Sequence, residues 1–412
     1  MSSLVRLGHL ALRSLMRNRR RSVITLAAVA IGVGVVVFAH GFGQGLMRMM
    51  VRNTLENRLG ALQVHRRGWL ENSEGAPLKL DLADPEALIE KARAIPGVVA
   101  VTPRLRFAAL VGNGKTSLVV MAEAIDPVRE LQVCPGRSGE VDQRIGAFIR
   151  SDTPRAGVVG AELARALGVK QADTVTMHAA GRDGGQNALD LEVGGVSRGV
   201  ASLLESKRVV LVPLSYAQEL LQMPGRATEL AVRVDDLAHI DAVASALRVA
   251  LGPDVEVSRW DEVMPFLRDA VNRLGFVLRG VSAVLFFIVL FGVVNTMLMN
   301  VFERTREIGT LMAVGVRRRQ ILVLFLCEAG VLGLVGGVLG ALLGLSVTTA
   351  VSLHGISITP PGAQFAQIVH PVAHVELALL AVLVAVLGAV LAATWPAYKA
   401  SRMNPVEALR TL

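Results

Sequence analysis

Residues 22–47 read SVITLAAVAIGVGVVVFAHGFGQGLM, a run without Asp, Glu, Lys or Arg. It is longer than the roughly 20 apolar residues that a helix needs to cross a bilayer. The basic flank ahead of it (Arg17, Arg19, Arg20, Arg21) is one that a secretory signal also carries, but the apolar part of a signal runs only about 7–15 residues. The run therefore reads as an uncleaved membrane anchor. Working outward, Gly280 to Phe302, Ala329 to Val375 and Leu377 to Tyr398 are also free of these charges. The third is too long for one helix, and Pro360-Pro361-Gly362 divides it into a span ending near His354 and an irregular loop. Four spans result, which suits a chain that is 52% apolar with a mean hydropathy of +0.50.

The cations orient these spans. Arg and Lys gather before the first span, between the second and third (Arg304, Arg306, Arg317, Arg318, Arg319) and after the fourth (Lys399, Arg402, Arg410), while His354 to Glu376 has none. Basic segments resist translocation, so these three are expected in the cytoplasm, with both termini inside. The net charge of +9 is then explained by membrane flanks, and no nucleic-acid partner is called for. The same topology puts residues 48–273 outside the cytoplasm.

That polar segment alternates strand and helix signals. Asp84-Pro85-Glu86 opens a helix that Pro96-Gly97 closes; Val98 to Val101, Arg106 to Val111 and Val209 to Val212 read as strands. Ala161 to Leu167, Tyr216 to Leu221 and Asp235 to Leu251 read as helices, and Arg137 to Pro154 and Ala179 to Ala188 as loops. The expected fold is an α-helical membrane protein with four transmembrane helices plus a large extracytoplasmic α+β domain, with small sheets, inserted between helices 1 and 2. Its parts are an amphipathic helix within 1–21 lying on the inner membrane face, helix 1 at 22–47, the domain at 48–273 and helix 2 at 274–302. A stalk continuous with helix 2 starts from about 260. A cytoplasmic connection at 303–319, helix 3 at 320–353, a loop at 354–376, helix 4 at 377–398 and a tail at 399–412 follow. Cys134 and Cys327 fall in different compartments, so no internal disulfide is expected.

Catalytic motifs are weak. Gly114-Lys115-Thr116 ends like a phosphate loop, but Ala109 stands where the first glycine is needed, and the following Ser117-Leu118-Val119-Val120 reads as a strand. Gly112-Asn113-Gly114 is better read as a hairpin turn. The eight histidines are scattered, and no paired metal-ligand spacing or nucleophile motif occurs. No catalytic, cofactor or metal residues are assigned.

The connection ERTREIGTLMAVGVRRRQ, residues 303–320, carries Ile308, Leu311, Met312 and Val316 at helical spacing with charges at both ends. A short amphipathic helix held between two spans can dock in a groove of a soluble partner. In helix 3, Gly336, Gly340 and Gly344 share one face and permit close helix contact. Glu328 is ionisable at membrane depth, where such a residue usually meets a partner, here an arginine.

ERTREIGTLMAVGVRRRQI resembles the cytoplasmic connection of permeases of the MacB, LolC/LolE and FtsX superfamily, the type VII ABC transporters. LALRSLMRNRRRSVITLAAVAIGVGVVV, VVGAELARALGVKQADTVTM, LVPLSYAQELLQM and WPAYKASRMNPVEALR resemble the family's pattern in the same order, with Asn404 where many relatives have Asp. The resemblance implies a bacterial inner-membrane permease driven by an ABC ATPase, with ATP and Mg bound by that partner and no cofactor in this chain. It implies a coupling helix over Glu303 to Val316. ATPase contacts are then expected from Glu303, Arg304, Arg306, Glu307, Ile308, Gly309, Leu311, Met312 and Gly315, chiefly Arg304, Glu307, Ile308 and Gly309. This sequence shows no ATPase segment, so a separate ATPase subunit is expected, with a second permease chain, membrane lipid, and a lipoprotein or periplasmic adaptor as further partners. Motion would pass along the stalk to the outer side, for lipoprotein release toward the outer membrane. Small-molecule or peptide efflux of MacB type, and FtsX-like signalling to a periplasmic hydrolase, are the alternatives.

Overall fold

The computed structural model describes residues 19–75, 77–137, 149, 153–197, 209–358 and 367–403. The expected amphipathic helix at residues 4–16 lies outside them. The chain divides into two compact units, one of residues 1–49, 270–358 and 367–412 and one built on residues 50–269.

The first helix, α1, runs Arg19–Thr54, well past the charge-free stretch. A π-helical turn, Leu55–Leu59, follows and stops at Gly60, whose φ of +72° suits a residue without a Cβ. Among the described residues of the second unit, nine strands form one hydrogen-bonded sheet: β1 (Leu62–Arg66), β2 (Val98–Gly112), β3 (Ser117–Ile125), β4 (Ala156–Gly160), β5 (Thr174–Ala180), β6 (Gln186–Ser197), β7 (Val209–Pro213), β8 (Glu229–Val234) and β9 (Val255–Arg259). The expected small sheets are joined because β2 is long enough to serve in two places. Its C-terminal half pairs with β3 on one edge and, at Leu110 to Gly112, with β5 on the other. The ring β2-β3-β7-β4-β6-β5 thereby closes into a barrel. Its N-terminal half pairs with β8, which continues through β1 to β9.

Alternation along these strands builds two cores. Leu105, Phe107, Ala109 and Val111 of β2 share one buried core with Met177, Leu191, Val210 and the helical Tyr216, each large side chain contributing about 1.5–3 kcal/mol by its burial. Helices α2 (Pro85–Arg93) and α6 (Ile240–Leu251) cover the β2-β8-β1-β9 part of the sheet with Ile89, Val243 and Leu247 against Leu62, Val101 and Val232. Local chemistry sets the helix starts. Asp84 accepts from the Ala87 N–H at 3.1 Å with Pro85 next, and Asp126 accepts from Val128 and Arg129 ahead of α3 (Pro127–Val133). Helices α4 (Ala161–Leu167) and α5 (Leu214–Leu220) complete the barrel side.

Several readings are corrected. The two strands expected over 98–101 and 106–111 are one, because Pro103 falls in the ladder without ending it. The expected loop at Ala179 to Ala188 is the β5–β6 hairpin, with only Gly181 to Gly185 forming the turn. Of the expected helix from Asp235, the regular part begins at Ile240 after a 3-10 turn capped by Asp236. The stalk is not one helix from Trp260. A single turn, α7 (Trp260–Val263), ends at Met264 and α8 (Pro265–Glu303) begins anew. Pro265 cannot donate a backbone bond and disfavours helical geometry in the residue before it, so it starts a helix and does not continue one.

In the first unit, α1, α8, α10 (Arg318–His354) and α11 (Val375–Ser401) are long and apolar enough to cross a membrane. A short helix, α9 (Thr305–Ala313), stands between α8 and α10. The expected irregular loop after His354 instead contains two paired strands, β10 (Ile356–Ile358) and β11 (Gln367–Val369), whose β-branched residues favour the extended form. Its Pro360-Pro361-Gly362 lies outside the described residues.

Candidate coupling site

Breaks in helical geometry bound α9. Arg304 leaves helical geometry after α8 (φ −103°, ψ 13°), and the Thr305 hydroxyl donates to the carbonyls of Val301 and Phe302 at 3.1 and 2.9 Å, satisfying groups the helix end would leave open. At the other end Gly315 takes φ +99°. Its N–H reaches the Met312 carbonyl, and the Val316 N–H reaches that of Leu311, a Schellman cap. The Gln320 carboxamide oxygen then accepts from the Arg317 N–H at 2.9 Å where α10 begins.

The apolar side of α9 is anchored in its own chain. Ile308 (3% exposed) packs with Val301, Ile321, Phe325, Ala397 and Ala400, with Met312 and Val316 at the rim. Of the expected contact set, Ile308 and Gly309 are buried within the chain. Arg304, Glu307 and Met312 are half-buried, whereas Glu303, Arg306, Thr310, Leu311, Val314 and Gly315 are exposed, Val314 at 85%. Arg304 Nη1 lies 3.4 Å from Oε2 of the buried Glu328 and its Nε 3.3 Å from Glu307. The α8–α9 break is thus tied to α10 by charge.

Gly336, Gly340 and Gly344 all face α1. A Cβ on Gly336 would stand 2.8 Å from Val29 Cγ1 and one on Gly344 2.9 Å from the Gly34 carbonyl, while one on Gly340 would overlap the Ala30 carbonyl. These glycines pack within one chain. Lys115 sits at the tip of the β2–β3 hairpin, where Asn113 Oδ1 accepts from the Lys115 and Thr116 N–H groups at 2.9 and 2.8 Å and Gly114 has φ +85°. It opens no helix, so the phosphate-loop reading lapses.

Residues 22–250 match the MacB-like periplasmic core domain family, and residues 279–405 match the FtsX-like permease C-terminal family. The chain belongs to the MacB/FtsX superfamily of type VII ABC permeases. Its relatives include the macrolide export ATP-binding/permease protein MacB of Hyphomonas neptunium, 28% identical with 97% of this chain and 60% of that protein covered. The protein of the same description from Bdellovibrio bacteriovorus is 26% identical, with 98% and 61% covered. The chain therefore spans about 60% of the length of the curated relatives it matches. Among solved structures, the periplasmic region of MacB from Actinobacillus actinomycetemcomitans aligns with 53% of this chain and 95% of its own, at 13% identity and a TM-score of 0.37.

The core domain of this MacB/FtsX permease also holds a buried ion cluster that the sequence reading missed. Arg104 on β2 donates through Nε and Nη2 to both oxygens of Glu130 on α3, at 3.0 and 2.7 Å, and through Nη1 to Glu229 on β8 at 3.0 Å. Arg137, expected in a loop, is likewise buried. It reaches Glu123 on β3 at 2.9 Å and the Asn57 carbonyl of the π-helical turn at 2.8 Å. Burial alone would raise the Glu123 carboxyl, but Arg137, Arg104, Arg106 and Arg58 outweigh it and hold it at about 2. Burial pushes the Cys134 thiol up to about 11 although Arg104 Nη2 donates to its sulfur at 3.1 Å. The thiol stays protonated and unreactive. Residues 138–148 and 150–152 of the expected loop lie outside the described residues. Cations and carboxylates inside otherwise apolar strands, as in PRLRF and MAEAI, are the sequence signal that could have found this cluster.

Proposed function

We propose that this chain is the membrane subunit through which an ABC ATPase drives a conformational change in the core domain. The carrying observation is α9: one side is fixed among the ends of the spans by Ile308, and the other presents Arg306, Thr310, Leu311 and Val314. An anchor on one side and an open apolar face on the other let a docked partner move the spans instead of sliding over them. The ATPase is proposed as a separate subunit bound at Glu303, Arg306, Leu311, Val314 and Gly315, with ATP and Mg held there. Two permease chains complete the assembly in a bacterial inner membrane, with the α9 end and both termini cytoplasmic. The charge asymmetry of the flanks supports that orientation.

For cargo, lipoprotein release toward the outer membrane is the reading drawn from the resemblance to LolC and LolE, with a lipoprotein or adaptor as the periplasmic partner. The relatives' names, which describe macrolide export, favour a second reading, expulsion of a small molecule by the same motion. The test is ATPase capture by the full-length protein and its Val314→Asp and Leu311→Asp variants in nanodiscs. Capture is expected for the wild type and a loss of tenfold or more for the variants at unchanged thermal stability; equal capture by all three would refute the docking face.

A further inference from the structure

The sequence places Trp395 and Tyr398 as the only Trp and Tyr of the membrane-helix unit; Trp69, Trp260 and Tyr216 all belong to the other. Both are exposed, at 60% and 48%, near the end of α11, beside an exposed Phe302 at the end of α8. Two cations lie over these rings. Lys399 Nζ is 5.3 Å from the Phe302 centroid and 5.7 Å from that of Trp395, and Arg402 Cζ is 4.8 Å from that of Tyr398. Among the described residues neither side-chain cation has a carboxylate partner, and the bond from Arg402 to the Lys399 carbonyl comes from its backbone N–H.

A general aromatic belt would distribute Trp and Tyr over both ends of all four spans, because such rings settle at the headgroup level wherever a span meets water. Here they occur once, three residues apart, around two cations that have no carboxylate partner among the described residues. An ammonium or guanidinium held over a ring keeps its charge available to a further anion on its open side. At the membrane surface the abundant anion of fitting chemistry is a lipid phosphate. Pro396, inside α11 between the two aromatics, removes one backbone hydrogen bond just there, which favours a bend at that point.

We propose that Phe302, Trp395, Tyr398, Lys399 and Arg402 form a docking site for the headgroup of an anionic phospholipid. The rings lodge at the glycerol level, and Lys399 and Arg402 meet the phosphate and the headgroup's net negative charge. The proposal needs only that α8 and α11 cross a membrane, so it stands or falls apart from the ATPase reading.

The experiment uses the full-length protein in nanodiscs of phosphatidylcholine and phosphatidylglycerol in equal parts, with lipids retained after mild extraction counted by native mass spectrometry. Wild type is expected to retain phosphatidylglycerol over phosphatidylcholine by on the order of tenfold, and Lys399→Gln/Arg402→Gln to lose that preference. Equal retention by the wild type, or an unchanged preference in the double variant, would overturn the site. Should the double variant not fold, the wild type alone decides. Its preference must collapse between 0.05 and about 0.5 M salt, where screening shortens to a few ångströms, and persistence counts against the site. A carbodiimide cross-link from Lys399 to a carboxylate of another protein in native membranes, identified by mass spectrometry, would show that a partner chain covers the site, and would also overturn it.

Discussion

Arg304 and Glu328 show how one pair can decide the behaviour of a break in the chain. Glu328 is 3% exposed, and Arg304 is the cation that reaches it from the α8–α9 joint. Removing Arg304 takes a charge partner from a carboxylate that stays buried, at a cost of up to about 3–5 kcal/mol, whereas removing both costs less. Arg304→Met is therefore expected to lower the melting temperature markedly, and adding Glu328→Gln to restore most of it; a double variant as unstable as the single would argue against the pair. Glu123 gives a prediction with a sign. Its folded-state value of about 2 lies below the ordinary 4.5, so its stabilisation is complete above about pH 4.5 and is lost as pH falls toward 2, on the order of 3 kcal/mol in all. Acid unfolding of the wild type between pH 5 and 2.5, compared with Glu123→Gln, checks it, and the variant should show a shallower loss.

Among the elements, α10 shows how close approach is written in glycine. A side chain at Gly340 would overlap the Ala30 carbonyl, which a helix backbone cannot withdraw, whereas nothing lies within 4 Å of a Cβ at Gly292. Gly340→Val should then cost about 1–3 kcal/mol while Gly292→Ala is tolerated, as thermal melts of the two in the same detergent will show. The stripe at four-residue spacing was legible in the sequence, but its partner was not, because spacing identifies a face without saying which helix meets it. The same limit applies to α9. Ile308 and Leu311 share a helical period, and only the packing of α8, α10 and α11 around Ile308 shows that the first is anchor and the second is surface. Pro265 was visible too, yet its effect on Met264 turns on whether it starts a helix or interrupts one.

For the whole molecule, the four spans and the α+β domain could be read from uncharged runs and alternation, since both are local properties of the chain. Charges set in apolar strands mark the ion cluster, but its pairings could not be read, because Arg104, Glu130 and Glu229 meet only when β2, α3 and β8 are assembled across 125 residues of sequence. The barrel closed by β2 was hidden for the same reason: the second partner of a strand leaves no mark in its own sequence.

Coupling through α9 is most directly tested by placing a photo-crosslinking amino acid at Leu311, and as a control at the exposed Val249 of α6, and irradiating native membranes. An adduct with an ABC ATPase is expected from Leu311 and none from Val249. Absence of any ATPase adduct at Leu311, or the same adduct from both positions, would contradict that coupling.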